Sequence, residues 1–319
     1  MHDSVIVDAS RNLAVIGTPA GAIEAIDVAS GRSVWASSDA VLPLGVNGDV
    51  ILARGIDSPP RARLPLIVLD ANGRTIRTAF APLPEEVVAL VQDDLSRRFR
   101  ATATPQGNGF VVTWTFFELE MRGSADAADR EPESGQFSGS FRFEPASGAI
   151  ASLNVPDEAG AVQRGAWRSG RVLASVEGGR GEALVLRRQD SATGQQISDE
   201  QISRHAIADL RSSDGAFVMV SERVGAGGPD DPEYRWSVWS LDTGAKAMEL
   251  RRDVSATPFF VASETLVYVA HPHGKSIGGV WVDEPLKLEA LRLSNGTPQW
   301  QRAIRDVRYT GEVPPGRGR

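Results

Sequence analysis

Short apolar or alternating runs recur along the whole chain and are separated by tight polar turns. Leu13-Ala-Val-Ile16, Val50-Ile-Leu52, Phe110-Val-Val-Thr-Trp114, Val172-Leu-Ala174, Phe217-Val-Met-Val220 and Leu266-Val-Tyr-Val269 each follow a short turn, as strands do after a hairpin bend. A second series lies downstream of these runs: Asp27-Val-Ala-Ser-Gly31, Asp70-Ala-Asn-Gly73, Glu144-Pro-Ala-Ser-Gly148, Asp190-Ser-Ala-Thr-Gly194, Asp242-Thr-Gly244 and Leu293-Ser-Asn-Gly296. Asp, Asn, Ser or Thr bonds the local backbone in such segments and Gly supplies a positive φ, so they predict hairpin turns. The glycines stand 42, 75, 46, 50 and 52 residues apart. Two interleaved series with a common period of about 45 residues predict an all-β propeller of four-stranded antiparallel blades.

Six blades are expected, at residues 3–38, 40–80, 99–155, 163–203, 206–253 and 255–305, with a seventh as the alternative in the long interval between Gly73 and Gly148. The whole reads as a single domain over 3–319 with two insertions. In the first, 82–98, Pro84, Glu85 and Glu86 mark a helix start, and Val87, Val88, Val91 and Leu95 recur at helical spacing, so one short inserted helix is predicted. The second, 122–136, has no apolar periodicity and reads as a loop.

Ala25-Ile-Asp27-Val-Ala-Ser-Gly31-Arg-Ser-Val-Trp35 resembles the repeat signature of the pyrroloquinoline-quinone-type propellers, in which Ala, Asp, Gly and Trp recur at this spacing. Ala290, Gly296 and Trp300 repeat it, with Arg292 in place of the Asp. The other copies carry Arg77, Ser152, Ser198 and Met248 where the Trp should stand. The resemblance implies that Trp35 and Trp300 dock one blade on the next. Catalytic members of the family have eight blades, a longer chain, a calcium-bound quinone and often a vicinal cysteine pair. This chain has 319 residues and no cysteine, so no cofactor is expected, and the resemblance is to the BamB-like, non-catalytic scaffold branch.

In a meander blade with strands A to D, the A–B and C–D turns share one end and the B–C and D–A connections share the other. The A–B and glycine turns are tight, whereas 55–64, 82–98, 122–136, 225–234 and 271–284 are all of the second kind. Loops held on a rigid scaffold carry recognition disproportionately, so the elaborated end is the expected working face. Its candidate partner-binding residues are Asp230, Asp231, Tyr234, Arg235, His271, His273 and Trp281, since aromatic and Arg side chains anchor interfaces.

Composition narrows the chemistry further. A net charge of -7 lacks the clustered Lys/Arg excess that nucleic acid requires. No apolar run approaches the roughly 20 residues of a membrane span, and Met1 to Gly21 lacks the pattern of a secretory signal. His271 and His273 flank a Pro, but no spacing supplies a third metal ligand. Asp230 and Asp231 lack the calcium-loop pattern, Gly225–Gly228 and Gly178–Gly181 lack the context of a phosphate loop, and no nucleophile elbow occurs. No catalytic residue is therefore assigned. The expectation is a non-enzymatic, protein-binding propeller, of the bacterial cell envelope by the family resemblance. An enzyme, as a degenerate quinoprotein dehydrogenase or a propeller hydrolase, and a glycan-binding propeller using Trp281 are the alternatives.

Overall fold

Strands that are buried on both faces read as continuous apolar runs, and those with one solvated face alternate. Ile23–Asp27 and Arg63–Leu69 are of the first kind, with nearly every side chain buried, while Phe99–Gln106 alternates buried Phe99, Ala101 and Ala103 with exposed neighbours. The computed structural model describes residues 5–18, 21–56, 63–90, 99–117, 136–153, 167–178, 183–206, 208–212, 215–224, 233–252, 255–270, 275–277, 280–282 and 287–304. Within them lie six four-stranded antiparallel sheets, each a contiguous stretch of chain, and the fold is a six-bladed β-propeller.

Blade 1 comprises β1 (Val5–Asp8), β2 (Leu13–Gly17), β3 (Ile23–Asp27) and β4 (Ser33–Ser37). Blade 2 comprises β5 (Ala40–Asn47), β6 (Val50–Gly55), β7 (Arg63–Leu69) and β8 (Thr75–Pro82), followed by helix α1 (Glu85–Leu90). Blade 3 is β9 (Phe99–Gln106), β10 (Gly109–Phe117), β11 (Gln136–Glu144) and β12 (Ala149–Leu153). Blade 4 is β13 (Trp167–Ser169), β14 (Val172–Glu177), β15 (Leu184–Asp190) and β16 (Gln196–Ser203). Blade 5 is β17 (Ala208–Arg211), β18 (Phe217–Arg223), β19 (Tyr234–Ser240) and β20 (Lys246–Arg252). Blade 6 has β21 (Phe259–Ala262), β22 (Thr265–Ala270), β25 (Lys287–Arg292) and β26 (Pro298–Ala303), with a separate hairpin of β23 (Lys275–Ile277) and β24 (Val280–Val282) between its second and third strands.

The predicted blades agree with these sheets to within a few residues. Pro82 closes β8 instead of opening an insertion, and Gln136 opens β11 instead of closing one. The remainder of that insertion, and Val91 and Leu95 of the helical stripe, lie outside the described residues. Val87 of α1 is fully buried and, with half-buried Val88, packs on the apolar layer between blades 2 and 3.

Five apolar clusters each join two successive blades. Val15, Ile23 and Ala25 meet Ile51, Ala53 and Leu69 between blades 1 and 2, and Leu64, Leu66 and Val68 meet Phe110, Phe141 and Phe143 between blades 2 and 3. Leu184 and Leu186 meet Val218 and Val220 between blades 4 and 5, and Trp236 and Val238 meet Tyr268 and Leu291 between blades 5 and 6. Ala14, Ile16 and Ile26 meet Phe260, Val267 and Leu288 between blades 1 and 6. The first and last blades thus close on each other through side chains, without exchanging a strand.

The glycine turns provide the docking points. At Gly31, φ is +68° and a Cβ would lie 2.5 Å from the Trp300 ring, whose Nε1 donates to the Val28 carbonyl at 2.8 Å. At Gly73, φ is +76°, a Cβ would collide with Trp35, and Trp35 Nε1 donates to the Ala71 carbonyl at 3.0 Å. These positions admit no side chain both because of their left-handed backbone and because the indole occupies the space. Arg77 takes the same place against Gly148 and donates to the carbonyls of Ser147 at 3.2 Å and Ala146 at 2.8 Å. Met248 takes it against Gly296, its sulfur 3.7 Å from where a Cβ would lie. In blade 4 the neighbour of Gly244 is Arg188 of the third strand, bonded to the Asp242 carbonyl and to Ser198 Oγ, so the short Ser198 supports a longer reach from next door.

Ser152 departs from its expected place. In the other five blades a β-bulge between the third and fourth strands adds one residue and aims the position four after the glycine at the following blade. The pair β11–β12 runs without a bulge, so Ser152 sits opposite Phe141, on the side of blade 2.

Candidate functional site

The strand pairings fix which connections share an end. The A–B turns at 9–12, 48–49, 107–108, 170–171, 212–216 and 263–264 and all six glycine turns are short. The B–C connections of blades 2, 3, 5 and 6 (56–62, 118–135, 224–233 and 271–286) and the D–A connections 83–98 and 154–166 are long, and all leave the opposite end. One end of the molecule is trimmed, and the long connections share the other.

At the base of the elaborated end, polar clusters tie neighbouring blades together. Glu222 is the penultimate residue of β18, Arg235 the second of β19, and Ser203 ends β16 of the preceding blade. Arg235 and the Ser203 hydroxyl both donate to the Glu222 carboxylate, as does the Arg204 N–H at 3.1 Å. Burial opposes ionisation of Glu222, but the bonds from Arg235, Ser203 and Arg204 outweigh it and bring the carboxyl from an ordinary 4.5 down to about 2. The same carboxylate raises the Arg235 pKa further.

A second cluster spans blades 5 and 6. Tyr268, 3% exposed, donates its hydroxyl to Glu289 and accepts from Arg252 Nε at 3.2 Å, while Trp236 meets its ring edge-on at 5.1 Å. Burial, aided by the bond to Glu289, pushes the Tyr268 phenol up to about 12, with Arg252 acting against the shift. A third cluster closes the ring: Arg302 Nη2 donates to Glu24 Oε1 at 2.8 Å and Nη1 to the Gly31 carbonyl at 2.9 Å, with Glu24 only 1% exposed. Glu24 and Glu289 each immediately precede a motif alanine, Ala25 and Ala290, so the two carboxylates occupy equivalent places in blades 1 and 6. Neither was singled out by sequence reading, although a Glu before both alanines is a repeat signal that was there to find.

The structure distributes the predicted residues unevenly. Tyr234 is half-buried against the cluster between blades 5 and 6, and Arg235 is engaged by Glu222, so both hold the base of the 224–233 connection. Glu233 beside them pairs with Arg251 at 3.2 Å. Asp230, Asp231, His271 and His273 lie outside the described residues. The segment of Trp281 is the hairpin β23–β24 and not a plain loop, with Trp281 opposite Ser276. Ala25 and Ala290 stand opposite Trp35 and Trp300, Gly31 and Gly296 both have φ +68°, and Asp27 Oδ1 accepts from the Ser30 N–H at 2.8 Å. Among the described residues no three His, Asp or Glu side chains converge as metal ligands, and no helix is long and apolar enough to cross a membrane.

No family model and no curated protein matches this chain by sequence. Solved structures that resemble it include BamB from Moraxella catarrhalis, at 14% identity and a TM-score of 0.31 over 94% of this chain and 76% of that one. TolB from Acinetobacter baumannii is similar at 16% identity and a TM-score of 0.34, over 79% of this chain and 54% of its own. The dihydro-heme d1 dehydrogenase NirN is similar at 13% identity and a TM-score of 0.39, over 95% and 66%. At these values the likenesses carry no argument about activity or partner.

Proposed function

We propose that the chain is a single-domain propeller over 3–319 that works as a non-enzymatic scaffold and binds a protein partner through the end carrying the B–C and D–A connections. The observation that supports this reading is the asymmetry of the two ends: every long connection leaves one end, over strand termini tied by the Glu222, Tyr268 and Glu24 clusters. A rigid base with long segments on one side suits recognition, where pre-organisation reduces the cost of ordering on binding. The proposed contact residues are Asp230, Asp231, His271, His273 and Trp281 on the connections, with Tyr234 and Arg235 holding the segment that presents the first two. The repeat signature directs the proposal to the bacterial cell envelope.

Photo-cross-linking side chains installed singly at 230, 273 and 281, and at Ala29, Ala192 and Thr243 on the trimmed end, test the reading in the native host. Adducts of one discrete protein at the first set and none at the second are expected. Adducts confined to Ala29, Ala192 and Thr243, or none from either set, would overturn it.

A further inference from the structure

Five of the six joints in the ring are sealed by an apolar cluster, and among the described residues no such cluster joins blades 3 and 4. The same joint lacks its docking side chain. Gly31, Gly73, Gly148, Gly244 and Gly296 each have a side chain of the preceding blade within 4 Å of where a Cβ would stand, whereas Gly194 of blade 4 has nothing.

The cause is visible in the cross-strand rows. In blade 1 the row Ile6–Val15–Ala25–Trp35 faces blade 2 and is half to fully buried. The equivalent row in blade 3, counted from the turn glycine, is Thr104–Val111–Arg142–Ala151. Thr104, Arg142 and Ala151 are exposed, as are Thr102, Thr113 and Ser138 on the same face. Without the bulge, Ala151 stands where Trp35 stands and is too short to cross to the next blade. The facing side of blade 4 carries half-buried Leu173 and Val185 beside a polar patch in which Arg187 bridges Glu177 at 3.0 Å and Asp199 at 3.4 Å, all three of these side chains about one-third exposed or more. Stacked repeats end in just such polar outer faces, because an outer face has no neighbour to bury it.

We infer that the molecule is an arc of blades 4-5-6-1-2-3 whose two capping faces meet at a joint that opens and closes. The first and last strands, β1 and β26, belong to the two blades of the sealed joint between blades 6 and 1, held by Trp300, Arg302 and Glu24, while the yielding joint lies between β12 and β13. Coupling between repeats is a nearest-neighbour quantity, so a joint where the described residues form no buried apolar cluster moves at little cost to its neighbours. The spacing of the connections on either side of this seam is accordingly variable, which goes beyond the proposed binding role and stands without it.

The absence of cysteine makes site-directed spin labelling direct. Labels at Ala146→Cys/Ala192→Cys span the joint between blades 3 and 4, and labels at Ala29→Cys/Ser294→Cys span that between blades 1 and 6; all four residues are exposed on the trimmed end. Pulsed dipolar spectroscopy should give a broad or two-peaked distance distribution for the first pair and a single narrow one for the second. Adding Arg142→Ala/Ala151→Trp, which recreates the Ala25–Trp35 arrangement opposite the open space at Gly194, should narrow the first distribution. A first distribution as narrow as the second, or one left unchanged by the restored Trp, would overturn the inference.

Discussion

At the scale of the residue, the ring depends on a few side chains that cross between blades. Trp300→Ala removes an indole packed on Gly31 and its bond to Val28, and should lower the unfolding free energy by about 3 kcal/mol in urea denaturation. Arg77→Ala removes an exposed version of the same contact and should cost under about 1 kcal/mol, because water competes for the same hydrogen bonds. Equal losses for the two would show that docking is not what the indole does. Glu222 supplies a pH test. Its folded pKa is depressed from 4.5 to about 2, so its contribution is complete above about pH 5 and is lost as pH falls toward 2. With Arg235 43% exposed, solvent screening limits that contribution to about 1–2 kcal/mol. Glu222→Gln should therefore lower the melting temperature at pH 6 and leave it close to that of the wild type at pH 2.5; a constant difference across this range would remove the ion pair from the account.

At the scale of the element, strands and turns were legible in the sequence because they depend on local chemistry. Asp27, Asp70 and Asp190 cap their own turns, and glycines with positive φ end them, so spacing alone located all six blades. What escaped was register. Counting four residues past each glycine placed the docking Trp35 and Trp300 and gave Arg77 and Met248 only as departures from the motif, and it missed that β12 lacks the bulge which aims that position, since the difference is one residue of pairing and leaves no mark on composition. Arg188 and Tyr268 escaped for a related reason: each acts across to a neighbouring blade, from a strand whose own pattern looks ordinary. The candidate site was less legible than the fold. Loop lengths indicated the elaborated end, but the clusters beneath it join residues from strands far apart in sequence. Helix α1 offers a test of its own. Val87 is fully buried between blades 2 and 3, so Val87→Asp should cost about 3 kcal/mol or more, read as a fall of several degrees in melting temperature. No change would mean that the helix merely rests on the surface.

At the scale of the whole molecule, the central claim is a ring closed by side chains between its first and last blades. Glu24 and Arg302 stand 278 residues apart in the chain and 2.8 Å apart in the fold. Arg302 is 17% exposed and Glu24 1%, so each single substitution leaves a largely desolvated partner. The most direct measurement is a double-mutant cycle by equilibrium denaturation with Glu24→Gln, Arg302→Gln and the pair together. A closed ring predicts a coupling of at least about 1 kcal/mol between these positions. Effects that add to within about 0.5 kcal/mol, as for sites that do not touch, would contradict it.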